Sequence, residues 1–167
     1  MKHVVGIADF KVSDCPDDVL ITYALGSCLG ITIFDPVAKV GGLLHVMLPL
    51  STVSPEKAAD KPCMFVDTGV PLLFREAYKY GAKKERILVA VSGGASLRSS
   101  GSDCFEIGKR NILMLRKILW RNGVLLKAED TGGNHSRNMT VELNKGIVTV
   151  FTYNGEKGKE ERVYECL

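Results

Sequence analysis

Three residues in the first third of the chain are of the types that together break an acyl bond. Cys28 lies in the run Leu25-Gly26-Ser27-Cys28-Leu29-Gly30, His45 in the apolar run 40–47, and Thr22 just ahead of the cysteine. A thiol is the nucleophile, an imidazole moves its proton, and a third polar group orients the ring. The glycines around Cys28 allow a sharp turn, leaving backbone N–H groups of Gly26, Ser27 and their neighbours unpaired near the sulfur. Such groups favour thiolate and can hold an oxyanion, so the expectation is an activated thiol that alkylates faster than the chain's other cysteines. In a strand with period two, His45 shares a face with Leu43 and Met47, and a polar ring there needs a partner. Thr22 offers its hydroxyl to one ring nitrogen, leaving the other for the sulfur. Taken singly, each residue has a plainer reading, as a satisfied core histidine or a packed thiol. Papain-like proteases do not fit, because their cysteine signature is absent and their histidine follows roughly 130–150 residues later.

Other chemistries find less support. Five cysteines, at 15, 28, 63, 104 and 166, are an odd number with no CxxC pair, which argues against a disulfide framework and for a reducing compartment. With no HExxH and no HxH either, no metal site is expected. The glycine-rich runs SGGASLRSSG at 92–101 and DTGGNHSR at 130–137 match neither GxxxxGK[ST] nor GxGxxG. They read as loops forming a site, with Gly94, Ser96, Gly133 and Asn134 at a substrate rim and Arg137 a further candidate. Equally, Gly94 and Gly133 would serve only to permit turns.

The elements that must position these residues are short. Apolar runs at 4–8, 19–24, 30–34 and 40–47 read as strands of one antiparallel region, the last two joined as a hairpin through 35–39. Residues 50–62, STVSPEKAADKP within them, have no apolar period and read as an exposed loop. Helical spacing marks 65–80, closed by Gly81, and 107–122, closed by Gly123, whose basic face reads as solvated surface. Further strands are expected at 86–91, 124–128, 139–143, 147–152 and 161–166, with a tight turn at 144–146. The fold class is α/β, a single layered domain over 1–167 of mixed, mostly antiparallel β-sheet with two main helices. A net charge of +3 in 167 residues is too mild for a nucleic-acid binder. The longest apolar run, 40–50, is far below the roughly 20 residues of a membrane span, and the N-terminus lacks a secretory signal's apolar core. A cytoplasmic protein, not embedded in a membrane, is the expectation.

Six motifs occur in order: GSC at 26–28, DPVAKVGGLLHVMLP at 35–49, DTGV at 67–70, GGAS at 93–96, IGKRN at 107–111 and AEDTGGNHSR at 128–137. Together they resemble the CheD family of chemoreceptor glutamine deamidases over most of the chain. Thr22, Cys28 and His45 stand where that family has its Thr, Cys and His, with five and sixteen residues between them. The resemblance implies hydrolysis of glutamine side-chain amides on cytoplasmic helices of methyl-accepting chemoreceptors, releasing ammonia, and methylesterase action on receptor glutamyl esters. It also implies a fold similar to the catalytic domain of cytotoxic necrotizing factor toxins, binding to the CheY phosphatase CheC, and no cofactor. A different reading stays open, in which the chain acts as a non-catalytic regulatory partner of CheC.

Overall fold

The computed structural model describes residues 1–96, 106–154 and 158–165. Cys104, Cys166 and most of the run after Ser96 therefore lie outside the described residues. The strands are β1 (Lys2–Val4), β2 (Asp9–Ser13), β3 (Val19–Leu25), β4 (Leu29–Asp35), β5 (Val40–Val46), β6 (Leu88–Gly93), β7 (Leu126–Thr131), β8 (Arg137–Glu142), β9 (Ile147–Tyr153) and β10 (Lys159–Glu165). The helices are α1 (Pro55–Asp60), α2 (Val66–Lys79) and α3 (Ile107–Arg121). One sheet has the order β1-β3-β8-β9-β10 and the other β2-β5-β4-β6-β7. Among these strands pairing is antiparallel except for β1 with β3 and β6 with β7.

Alternation along the central strands builds three layers. Leu29, Ile31 and Ile33 of β4 and Leu44 and Val46 of β5 pack with Val66, Val70 and Leu73 of α2 and Ile112, Leu115 and Leu119 of α3. On the opposite face, Phe34, Leu43 and Ala90 meet Leu20, Met139, Val141 and Val150 of the first sheet. Burial on both faces explains why these strands read as nearly unbroken apolar runs. The β4–β5 hairpin and the turn at 144–146 between β8 and β9 are as the sequence predicts.

Three expectations are corrected. The run 4–8 is not one strand: Val4 ends β1, and residues 5–8 turn, with Ala8 at φ 57°, before β2. The first four runs do not form one antiparallel region, because β3 belongs to the other sheet and pairs in parallel with β1. The segment 50–62 is a short 3₁₀ turn, Ser51–Val53, followed by α1 with Pro55 in its first turn. Neither element buries a side chain, so no apolar period announces it.

Candidate active site

β3 carries Thr22 across to β5 from the facing sheet. Thr22 Oγ1 lies 2.7 Å from His45 Nδ1 and donates its own hydrogen to the Val5 carbonyl at 2.8 Å. A hydroxyl has one hydrogen, so with that hydrogen spent on Val5 the threonine oxygen accepts from His45 Nδ1–H. The consequence is a defined tautomer: Nε2 carries the bare lone pair of a base. Nε2 is buried and has no hydrogen-bond partner among the described residues. His45 is 1% exposed, and burial lowers its pKa to about 4, so the ring is neutral at neutral pH. The His45 carbonyl is fixed by the Ala8 N–H at 2.9 Å.

The strand register sets the neighbours of His45. Gly30 pairs directly with His45 on one side and Ser92 on the other. Cys28, in the bend just ahead of β4, packs against the same inter-sheet cluster. Gly30 is required here, because a Cβ would stand 2.8 Å from Leu25 Cδ1, 3.1 Å from Met139 Sδ and 3.3 Å from Thr22 Cγ2. Its missing side chain lets the sheets approach closely enough for Thr22 to reach the ring. No hydrogen bond joins Cys28 to His45 in this resting arrangement of the described residues.

The carbonyls of Gly26, Ser27 and Cys28 are each held, and the Gly26 N–H, expected to be unpaired, donates to the Ala24 carbonyl at 3.0 Å. A bulge between Thr22 and Leu25, with Ala24 at φ 56°, turns the chain out of β3. The Gly94 N–H donates to the Cys28 carbonyl and the Ala95 N–H to the Gly26 carbonyl, each at 2.9 Å. Gly93 admits this contact, since a Cβ there would collide with the Cys28 carbonyl oxygen. From α3, Asn111 Nδ2 donates to Ser27 O at 2.9 Å and to Met47 O at 3.0 Å. Sequence reasoning assigned Asn111 no role. The available signal was a polar residue in register with Gly108, Ile112, Leu115 and Leu119 on the buried face of the helix.

Burial raises the Cys28 thiol above its ordinary pKa, and its own backbone N–H offsets this only in part. The expected activated thiolate is therefore corrected to a resting neutral thiol, because desolvation of the half-buried sulfur outweighs the nearby amide. Among the rim candidates, Gly94 contacts the cysteine turn directly, Ser96 N–H donates to Gly133 O at 2.9 Å, and Gly133 and Asn134 are exposed. Gly94, Ser96 and Gly133 line a cavity of about 380 Å³ with Lys109, Leu113 and Arg116 of α3. Arg137 does not face a substrate. It is buried, pairing with Asp130 at 3.1 Å and donating to the Gly132 carbonyl at 2.8 Å. No three His, Cys, Asp or Glu side chains among the described residues stand close enough to hold a metal ion.

A three-layered α/β protein with a cysteine turn and a Thr–His pair between its sheets defines the class. The family model described as CheD chemotactic sensory transduction matches residues 47–152. The probable chemoreceptor glutamine deamidase CheD 1 of Syntrophus aciditrophicus is 49% identical over 91% of this chain and 94% of its own. The probable enzyme of Solibacter usitatus is 48% identical over 96% of this chain and 92% of its own. The chemoreceptor glutamine deamidase CheD of Thermotoga maritima is 41% identical over 93% of this chain and 94% of its own. The chain belongs to the CheD family. A solved structure, that of Neisseria meningitidis protein NMB0706, is 11% identical over 78% of this chain and 62% of that chain with a TM-score of 0.42, too distant to bear on function. No helix among the described residues is long and apolar enough to cross a membrane.

Proposed function

We propose that this protein deamidates glutamine side chains on cytoplasmic helices of methyl-accepting chemoreceptors through a Cys28 thioester. The observation that carries this reading is the spent Thr22 hydroxyl, which leaves Nε2 of a neutral His45 free to act as a base, on the strand paired with the one that Cys28 leads into. The names of the relatives supply the substrate class.

In the reaction, Cys28 Sγ gives its proton to His45 Nε2 as it bonds to the carboxamide carbon. Starting from neutral thiol and neutral ring, transfer occurs as the substrate closes the gap, consistent with catalytic hydrogen bonds that tighten only in the complex. The carbonyl oxygen becomes an oxyanion held by N–H groups of the turn at Ser27 and Cys28, the Gly26 N–H being bonded to the Ala24 carbonyl. The imidazolium then protonates the nitrogen, ammonia leaves, and a thioester remains. Water attacks it with His45 taking a proton, and the thiol returns as glutamate is released. A receptor glutamyl methyl ester would follow the same course with methanol leaving. This reading puts the protein in the cytoplasm, and CheC presenting a receptor-like segment is expected to compete at the same mouth.

Ammonia release from a purified receptor cytoplasmic domain tests the assignment. Cys28→Ala and His45→Ala are expected to abolish it while retaining the fold. Undiminished release by Cys28→Ala would refute it.

A further inference from the structure

We propose that Asn111 is a positioning residue that aims the Cys28 N–H at the oxyanion formed on the substrate, an inference that rests on the deamidase reading above. Asn111 is fully buried, and its Nδ2 reaches two acceptors: Ser27 O at 2.9 Å and Met47 O at 3.0 Å. Both partners are carbonyl oxygens, which only accept, so the carboxamide orientation is unambiguous.

The first of these contacts controls the nucleophile's own amide. Ser27 O and Cys28 N–H belong to one planar trans peptide group, whose C=O and N–H point in opposite directions. Drawing the oxygen toward α3 turns the Cys28 N–H away from the helix. The next peptide is held as firmly, its carbonyl accepting from Gly94 N–H. The second contact ends two residues beyond His45, so one side chain ties the cysteine turn to the end of the histidine's strand.

Asn111 is built for this task and not for packing. Its Oδ1 is buried with no partner among the described residues, on a helix face otherwise given to Ile112, Leu115 and Leu119. Stranding that oxygen weakens the fold, and the side chain is held there by its two donors. Gly108, one turn earlier, brings α3 close enough, since a Cβ there would meet Gly94 O at 2.5 Å and Ala95 O at 2.7 Å.

The test compares Asn111→Asp, which keeps the shape and loses the donors, with Asn111→Ala and with Asn111→Ser, which is smaller and keeps one donor. Each is assayed for receptor deamidation and for alkylation of Cys28 by iodoacetamide at one alkaline pH, after circular dichroism confirms folding. The Asp and Ala variants are expected to lose kcat by about 10²–10³-fold, the loss typical of one oxyanion donor, with KM nearly unchanged. The Ser variant should be intermediate. Alkylation should slow in the Asp and Ala variants, because a Cys28 N–H no longer held in place favours the thiolate less. Folded variants with wild-type kcat, or with Cys28 alkylating at the wild-type rate or faster, would overturn the role of Asn111 while leaving Cys28-dependent turnover intact. If wild type shows no Cys28-dependent turnover, the deamidase reading falls, and the alkylation rates alone decide whether Asn111 governs the Cys28 amide.

Discussion

Replacing Thr22 with valine keeps the shape of a fully buried side chain and removes the oxygen that both receives His45 Nδ1–H and donates to Val5 O. Two buried groups lose their partner at about 1–3 kcal/mol each, so destabilisation of roughly 2–4 kcal/mol follows after the added methyl packing is counted. The catalytic effect is smaller and distinct. Without the threonine acceptor the ring loses one neutral hydrogen bond, about 0.5–1.5 kcal/mol, that favours the tautomer with Nε2 free. At about 1.4 kcal/mol per factor of ten, kcat falls between roughly twofold and twelvefold, with little change in KM. Thr22→Ser keeps the oxygen and loses only the methyl that approaches Gly30, so its kcat should stay close to wild type. Ammonia release under single-turnover conditions, paired with thermal unfolding, separates the two effects. A valine variant with unchanged kcat, or a serine variant as impaired as valine, would show that Thr22 does not set the tautomer.

Further consequences concern the same site. Gly30→Ala places a methyl within 2.8 Å of Leu25 and 3.3 Å of the Thr22 methyl, so it should cost about 1–3 kcal/mol in unfolding free energy and lower kcat by shifting Thr22 off the ring; unchanged stability and rate would count against it. His45 has its folded pKa lowered from 6.5 to about 4, so only the unfolded chain binds that proton between these values; its contribution is complete above pH 6.5 and is lost as pH falls toward 4, by roughly 3 kcal/mol. Denaturant unfolding of wild type against His45→Gln should show this difference only in that window, and parallel curves would exclude it. Because burial raises the Cys28 thiol, iodoacetamide should modify exposed Cys15 faster at pH 7, and the Cys28 rate should climb through pH 9; a fast plateau at neutral pH would restore the thiolate picture.

The parts of the site legible in the sequence were those that depend on period-two alternation. Alternation in the run 40–47 puts Leu43 and His45 on one face, and Leu43 does lie in the inter-sheet cluster against which Cys28 packs. The sequence could not show that β3 crosses to the facing sheet, because an apolar strand buried on both sides reads alike in either sheet. The thiol's direction of shift is also hidden: unpaired amides can be inferred from the glycines, but desolvation depends on the inter-sheet cluster against which Cys28 packs. Asn111 looked like one more polar residue among Lys109, Arg110 and Arg116 until helical phase put it on the inner face. Within 50–62, the helix Pro55–Asp60 buries no side chain, leaving composition nothing to register.

The claim on which the account turns is that Cys28 sulfur becomes acylated by a glutamine side chain. Acid quenching of wild-type protein mixed with a glutamine-bearing receptor segment, followed by mass analysis of its cysteine peptides, examines this directly. The account predicts an adduct of the segment less ammonia on the peptide containing Cys28. Glutamate accumulating with no such adduct and at an equal rate in Cys28→Ala, or an adduct on a different cysteine, would contradict it.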